Sequence, residues 1–115
     1  MKLLMKEHPH AAIVFVATIA PNKETYAREV SPGKTVEERV EQAEERMNYI
    51  KNHSAFAGAH NIPLIDIYSK SLTPERNGNL LYINPNDHIH PSFAGLDFIG
   101  HEITDFLYNA KFLPQ

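Results

Sequence analysis

Residues 13–19, with the sequence IVFVATI, lie within the longest apolar run of the chain and decide its fold class. Their hydrophobicity is continuous rather than alternating, which is typical of a strand that is covered on both faces, as in a parallel sheet. Ala20, Pro21 and Asn22 end the run. The stretch therefore predicts a buried strand over residues 13–19.

A long amphipathic helix follows this strand after a polar loop over residues 21–34. Thr35 and Glu38 have the spacing of a capping box, and Gly58 and Asn61 end the helix. Its apolar face is predicted to consist of Val36, Val40, Ala43, Met47, Ile50 and Ala57. The opposite face, predicted to meet water, carries Glu37, Glu41, Glu44 and Glu45.

The remaining segments complete an alternating order of helices and strands. Residues 2–9 are typical of the tail of a helix, residues 64–68 of a second strand, and residues 69–86 of a second long loop at the same edge. Pro91 and Ser92 can open a final helix. Its predicted apolar face consists of Leu96, Ile99, Ile103, Phe106 and Leu107. This order predicts an α/β fold with a parallel sheet and right-handed crossovers.

Length and composition restrict the function classes. The 115 residues allow one domain, and 43% hydrophobic with 22% charged residues is typical of a globular protein rather than a disordered or fibrous one. A formal net charge of −3 argues against nucleic acid or an anionic membrane surface as the main partner. Because the chain has no cysteine, disulfides, thiolate zinc sites and cysteine nucleophiles are excluded.

Membrane insertion and export are not expected. The apolar run over residues 11–20 is about half of the ~20 residues that a membrane-spanning helix needs. Residues 1–5 open like a signal peptide, but Lys6 and Glu7 interrupt them before an apolar core of the required length. We expect a soluble protein, cytoplasmic if Met1 is the true start.

Two parallel strands make a poor sheet. Each strand of a parallel sheet needs both faces covered and both edges paired or protected, and two strands with three helices leave much of this undone. The sequence therefore predicts that the sheet is completed either by other chain segments or by a second copy of the chain.

The most informative polar stretch is residues 86–95, NDHIHPSFAG, in which Asp87 precedes His90 by three residues. A carboxylate that accepts a hydrogen bond from one imidazole nitrogen leaves the other nitrogen free to take a proton from a nucleophile. The alternative is that both residues only cap a helix or form a turn, as Asp and His often do near helix starts.

The stretch Asp87-His88-Ile89-His90-Pro91-Ser92 resembles the last conserved block of the SGNH hydrolases, also called the GDSL family of esterases and lipases. The apolar strand, the long helix and the second strand match the second half of that fold. The resemblance implies a three-layer α/β/α, flavodoxin-like fold with a parallel sheet, incomplete at its N-terminal side. It also implies that His90 is the general base and Asp87 its orienting partner.

The family's nucleophile lies in a Gly-Asp-Ser block near the start of the domain, and no Gly-Asp-Ser occurs in this chain. The serines present are Ser31, Ser54, Ser69, Ser71 and Ser92, none in a nucleophile setting. Residues 1–115 thus resemble the C-terminal portion of a single SGNH-type domain, with the base but without the nucleophile or oxyanion hole. We expect the isolated chain to lack esterase activity.

The reaction that the resemblance implies is hydrolysis of a carboxylic ester through a serine acyl-enzyme, without a cofactor. The loops over residues 20–34 and 69–86 are expected to border the acyl pocket. The substrate stays open among lipid esters, acetylated sugars and small esters.

Two other functions compete with this interpretation. His88 and His90, with Asp87, could bind a metal ion if the segment were extended, whereas otherwise His88 is expected to be a solvent-exposed loop residue. The incomplete sheet favours a non-catalytic truncated or split module that pairs with a second copy or with a missing N-terminal half.

Overall fold

A computed structural model of the chain describes residues 2–7 and 9–110, and its sheet is built from the two predicted strand regions. Strand β1 spans Phe15–Ala17 and strand β2 spans Leu64–Asp66. The two pair in parallel, with Phe15 opposite Leu64 and Ala17 opposite Asp66. Among the described residues the sheet has these two strands, so the chain has an α/β fold with a small parallel sheet.

The described residues also form four α-helices and one 3-10 turn. They are α1 (Lys2–Glu7), α2 (Val36–Ala59), α3 (Ile67–Lys70), a 3-10 turn (Leu80–Tyr82) and α4 (Phe93–Asn109). The helix predicted over residues 2–9 is confirmed over 2–7, and residue 8 lies outside the described residues. Within the described part of the chain, every helix is too short or too polar to cross a membrane.

Both strands are shorter than predicted. Residues 13–14 and 18–19 lie outside β1, whose partner within the described ranges is the three-residue β2. The prediction of a strand over residues 64–68 is wrong at its end, because Ile67 and Tyr68 begin α3. The cause is local: the Asp66 carboxylate accepts a hydrogen bond from the Ser69 backbone N–H (3.0 Å) and so caps a helical turn.

Helix α2 covers one face of the sheet. The Thr35 hydroxyl accepts a hydrogen bond from the Glu38 N–H at 3.1 Å, which confirms the predicted cap. The predicted face is buried from its second turn onward, at Ala43, Met47, Ile50 and Ala57. Val36, in the first turn, is 54% exposed. Met47 and Ile50 pack with Ala17, Ala20 and Tyr68 in one apolar cluster.

Helix α4 covers the other face of the sheet at β2. Its core-facing side chains are Phe98, Ile99, Ile103 and Phe106, which pack against Ile19, Ile65, Ile67 and Ile83. Leu96, predicted to share this face, is 55% exposed. Phe98 lies against the Tyr82 ring instead, with the ring centroids 4.6 Å apart. The stripe that meets the core therefore begins at Phe98, two residues later than the sequence pattern indicated.

The start of α4 is held close to the 3-10 turn. The Ser92 backbone N–H donates to the Tyr82 carbonyl oxygen (2.9 Å), and the Ser92 hydroxyl donates to that of Leu81 (2.7 Å). Gly95 lies so near that a Cβ at this position would collide with the Tyr82 carbonyl oxygen. Only glycine permits this close approach, which fixes the first turn of α4 against the Tyr82 carbonyl oxygen.

We expect Gly95→Ala and Gly100→Ala to change stability in opposite directions, although both glycines lie in α4. Gly95→Ala should lower the free energy of unfolding by about 1–3 kcal/mol through the clash with Tyr82. A Cβ at Gly100 meets nothing within 4 Å. Gly100→Ala should therefore raise the free energy of unfolding by about 0.5–1 kcal/mol, because alanine has a higher helix propensity than glycine. Urea denaturation measures both, and a Gly95→Ala protein as stable as the wild type would contradict this packing.

Candidate functional site

The segment that carries Asp87 and His90 is a closed loop rather than an extended strand. The Asn84 N–H donates to the His90 carbonyl oxygen, and the His88 N–H donates to the Asn84 carbonyl oxygen, both at 2.8 Å. Ile83 and Pro91 form an antiparallel bridge across its ends. Backbone hydrogen bonds alone therefore close the loop over residues 84–90.

Within this loop Asp87 and His90 form a hydrogen-bonded pair. One Asp87 carboxylate oxygen, Oδ1, accepts from the backbone N–H groups of Ile89 (2.8 Å) and His90 (3.1 Å). The other, Oδ2, lies 2.6 Å from Nδ1 of His90. Three bonds thus hold the carboxylate, and the carboxylate in turn orients the imidazole.

The electrostatics keep this carboxylate ionised. The Ile89 N–H, followed by the bonds from His90, lowers the pKa of Asp87 to about 2. An ionised carboxylate only accepts, so the His90 ring donates from Nδ1. The Asp87 side chain is 22% exposed and that of His90 is 73% exposed. Nε2 of His90 has no hydrogen-bond partner among the described residues and can accept a proton.

The pair lies beside a cleft of about 230 Å³ at the carboxyl end of β1. One wall is residues 18–21, which follow the strand, and the other is residues 88–91, with Ile83 and Arg46 completing the lining. Ligands of open α/β sheets commonly bind at this edge. Each of the two predicted loops contributes to the lining, through Ala20 and Pro21 from the first and Ile83 from the second.

Four of the five serine hydroxyls are hydrogen-bonded away from His90, and Ser31 does not line the cleft. Ser54 and Ser71 donate to the carbonyl oxygens of Ile50 and Tyr68. Ser69 donates to the Asp66 carboxylate at 2.7 Å. The Ser92 hydroxyl caps α4 by accepting from the Gly95 N–H at 3.0 Å, as the sequence predicted. In the part of the chain that the structure describes, His90 is hydrogen-bonded to no hydroxyl group.

His88 contradicts both expectations made for it. It is 6% exposed rather than a solvent-exposed loop residue. Its φ of 54° is left-handed, so the extended segment needed for the metal hypothesis is wrong. Its Nδ1 is 2.7 Å from a Glu29 carboxylate oxygen. Across the described ranges, no three His, Cys, Asp or Glu side chains are arranged to hold a metal ion.

The Glu29–His88 contact is the part of the site that sequence reasoning missed. The two residues are 59 positions apart, and Glu29 lies in a loop without hydrophobic periodicity. No local spacing could indicate this pairing, because it depends on how the two loops approach each other at the sheet edge.

We expect acid to destabilise the protein through Asp87 and Glu29. Partial desolvation raises the pKa of Glu29, but hydrogen bonds from Arg28 and His88 outweigh it and lower the value to about 2. A lowered folded-state pKa gives stability that is complete above the unfolded value and is lost as the pH falls through the folded one. The ordinary values are 3.8 for Asp87 and 4.5 for Glu29, so the loss should fall between pH 4.5 and about 2.

Urea denaturation at a series of pH values tests this. Asp87→Asn and Glu29→Gln should each flatten the acid limb of the stability profile. Glu41→Gln is the control, because Glu41 forms no ion pair with a described residue. Acid limbs of equal slope in all four proteins would contradict the assigned hydrogen bonds.

The candidate site thus consists of a hydrogen-bonded Asp–His pair, an accepting imidazole nitrogen and a cleft at the carboxyl edge of the sheet. Comparisons of the chain with protein-family models, with curated proteins and with solved structures found no match. What the site can do is therefore argued from the geometry of its residues.

Proposed function

We propose that this chain supplies the Asp–His base of a serine ester hydrolase of the SGNH, or GDSL, type. The observation that carries the proposal is the 2.6 Å contact between the Asp87 carboxylate and Nδ1 of His90, with Nε2 left to accept a proton. The same arrangement orients the base of a hydrolytic triad.

In the proposed reaction His90 acts twice. Its Nε2 takes the proton of a serine hydroxyl while the serine oxygen attacks the ester carbonyl carbon. The tetrahedral intermediate collapses, and the imidazolium returns that proton to the departing alcohol. A water molecule, deprotonated by Nε2 in the same way, then attacks the acyl-enzyme; the imidazolium returns this proton to the departing serine oxygen, and the carboxylic acid is released. Asp87 stays ionised throughout and stabilises the imidazolium.

The serine and the oxyanion hole are assigned to residues outside this chain. The hydroxyls of Ser54, Ser69, Ser71 and Ser92 are already hydrogen-bonded to other groups, and Ser31 does not line the cleft beside His90. The cleft beside His90 opens at the carboxyl edge of β1, where a further segment carrying a nucleophile could approach. The proposal therefore treats the chain as the C-terminal portion of a larger, three-layer catalytic domain.

We expect the isolated chain to hydrolyse p-nitrophenyl acetate only at the background rate. Fusion to an N-terminal half that carries Gly-Asp-Ser from an SGNH hydrolase should give turnover. In that fusion His90→Ala and Asp87→Ala should each lower kcat by about 10³–10⁴-fold or more, because triad members act as a unit.

The matched control is His101→Ala. His101 is another exposed imidazole, 72% exposed, with Asp97 3.6 Å from its Nε2, and it does not line the cleft. Its removal should leave turnover unchanged. An active fusion that is indifferent to His90→Ala would contradict the role of His90, and activity of the isolated chain that His90→Ala abolishes would contradict the missing nucleophile.

A second candidate function, a paired non-catalytic module, is favoured by the free edge of β1. The Phe15 N–H donates to the Pro63 carbonyl oxygen of the neighbouring segment at 2.9 Å. Because a parallel ladder uses alternate residues, the peptide groups of Val16 point to the opposite edge. Val16 is 36% exposed, and no third strand among the described residues pairs there.

Sedimentation equilibrium tests this candidate. Pairing of two copies through β1 should give twice the protomer mass, and Val16→Pro, which removes an N–H from the free edge, should return the protein to one protomer. A well-folded wild-type sample with the mass of one protomer at all concentrations would contradict it.

A further inference from the structure

His88 occupies an unfavourable position between the two residues of the proposed catalytic pair. It has a left-handed backbone, which glycine or asparagine adopts more readily, and its imidazole is buried at 6% exposure. Both features cost free energy unless the imidazole makes a compensating contact. The contact it makes is the one with Glu29.

The direction of this hydrogen bond follows from charge. Glu29 accepts from the Arg28 side chain at one carboxylate oxygen (2.8 Å) and from His88 Nδ1 at the other (2.7 Å). The pKa of about 2 keeps the Glu29 carboxylate ionised despite its partial desolvation. His88 is therefore the donor, and its ring has a fixed tautomer and orientation.

Glu29 projects from a loop that is itself held in place. Val30 and Ser31 donate backbone hydrogen bonds to the Ala27 carbonyl oxygen at 3.2 and 3.0 Å. At the start of the same loop, Asn22 donates from its side chain to the Gly78 carbonyl oxygen (2.9 Å). The Glu29 carboxylate that binds His88 thus lies on a loop that is held by its own hydrogen bonds and is bonded, through Asn22 and Gly78, to the loop that follows β2.

We propose that Glu29 and His88 are a positioning pair that holds the Asp87 carboxylate against Nδ1 of His90. His88 is covalently joined to both Asp87 and Ile89, and the Ile89 N–H is one of the three donors to Asp87. Anchoring the His88 ring therefore restricts rotation of the peptide groups that orient the Asp87 carboxylate and the His90 ring. The consequence for catalysis rests on the proposed function, but the positioning itself does not.

Nitrogen NMR of the histidine rings measures the positioning directly in the isolated chain. At a pH where His90 is neutral, the wild type should carry its ring proton on Nδ1, facing Asp87. A free imidazole has no such partner and populates the Nε2–H tautomer. Glu29→Ala and His88→Gly should each lower the ratio of Nδ1–H to Nε2–H at His90 by roughly three- to tenfold, the worth of one net hydrogen bond.

The variants separate the imidazole contact from backbone strain and from general loss of stability. His88→Gly adopts the left-handed conformation without strain but also frees the backbone at residue 88, so the Glu29 variants, which leave that backbone unchanged, report the ring contact alone. Glu29→Gln keeps a neutral acceptor and should fall between wild type and Glu29→Ala, and it serves if the alanine variant does not fold. Glu102→Ala breaks the Lys70–Glu102 ion pair (2.6 Å) outside the cleft and should leave the ratio unchanged.

The outcomes distinguish this proposal from the function on which its consequence rests. Asp87→Ala should abolish the preference for Nδ1–H. If Asp87→Ala abolishes this preference while His88→Gly and the folded Glu29 variants keep the wild-type ratio, the proposed positioning role is wrong, but the Asp87–His90 hydrogen bond is confirmed. If Asp87→Ala itself leaves the ratio unchanged, the dyad is not formed in solution, and both the proposed base and its positioning are wrong.

Discussion

The parallel pairing of β1 with β2 is the constraint on which the candidate site depends. Parallel strands end at the same edge of a sheet, so the segments that follow β1 and β2 must both leave from that edge. The two segments meet there: the Ala20 N–H donates to the Ser71 hydroxyl at 2.8 Å, and the Gly78 N–H donates to the Pro21 carbonyl oxygen at 3.1 Å. Three residue pairs make a short ladder, and these bonds between the loops extend the association beyond it.

Buried polar groups make this association specific. Asn22, 8% exposed, uses its amide nitrogen for the Gly78 carbonyl oxygen and its amide oxygen for N–H groups of its own loop, including that of Thr25 (3.3 Å). The Glu29–His88 contact continues the same network toward the 84–90 loop. Since a buried polar group without a partner is costly, each of these contacts restricts the loops to one arrangement. The exposed Asp87–His90 pair is therefore held by loops that hydrogen bonds restrict to one arrangement.

The sheet is packed by helices on its faces more completely than at its edges. The exposed parts support both proposed functions, because each needs another polypeptide to bind there. Helix α2 packs on one face of both strands and α4 packs on the other face at β2, whereas Val16 of β1 is 36% exposed and no third strand among the described residues pairs with the outer edge of β1. Near the loop of the dyad, Phe93 is 92% exposed and Leu81 is 62% exposed. Large apolar side chains and an open strand edge are the surfaces that another polypeptide covers most favourably. Under the hydrolase proposal that polypeptide carries the nucleophile, and under the second candidate it is another copy of the chain.

The sequence by itself determined the features that depend on neighbours along the chain. Continuous apolar residues located β1, capping residues located the starts of α2 and α4, and the three-residue spacing of Asp87 and His90 sufficed for their hydrogen bond. Tertiary structure decided what depends on distant segments. Pairing with β2 sets the length of β1, and the Tyr82 ring brings Phe98 instead of Leu96 to the core. The contact with Glu29 buries His88. The reason is physical: capping and loop hydrogen bonds join groups a few residues apart, whereas strand pairing and the Glu29–His88 hydrogen bond form only when the folded sheet brings remote segments to one edge.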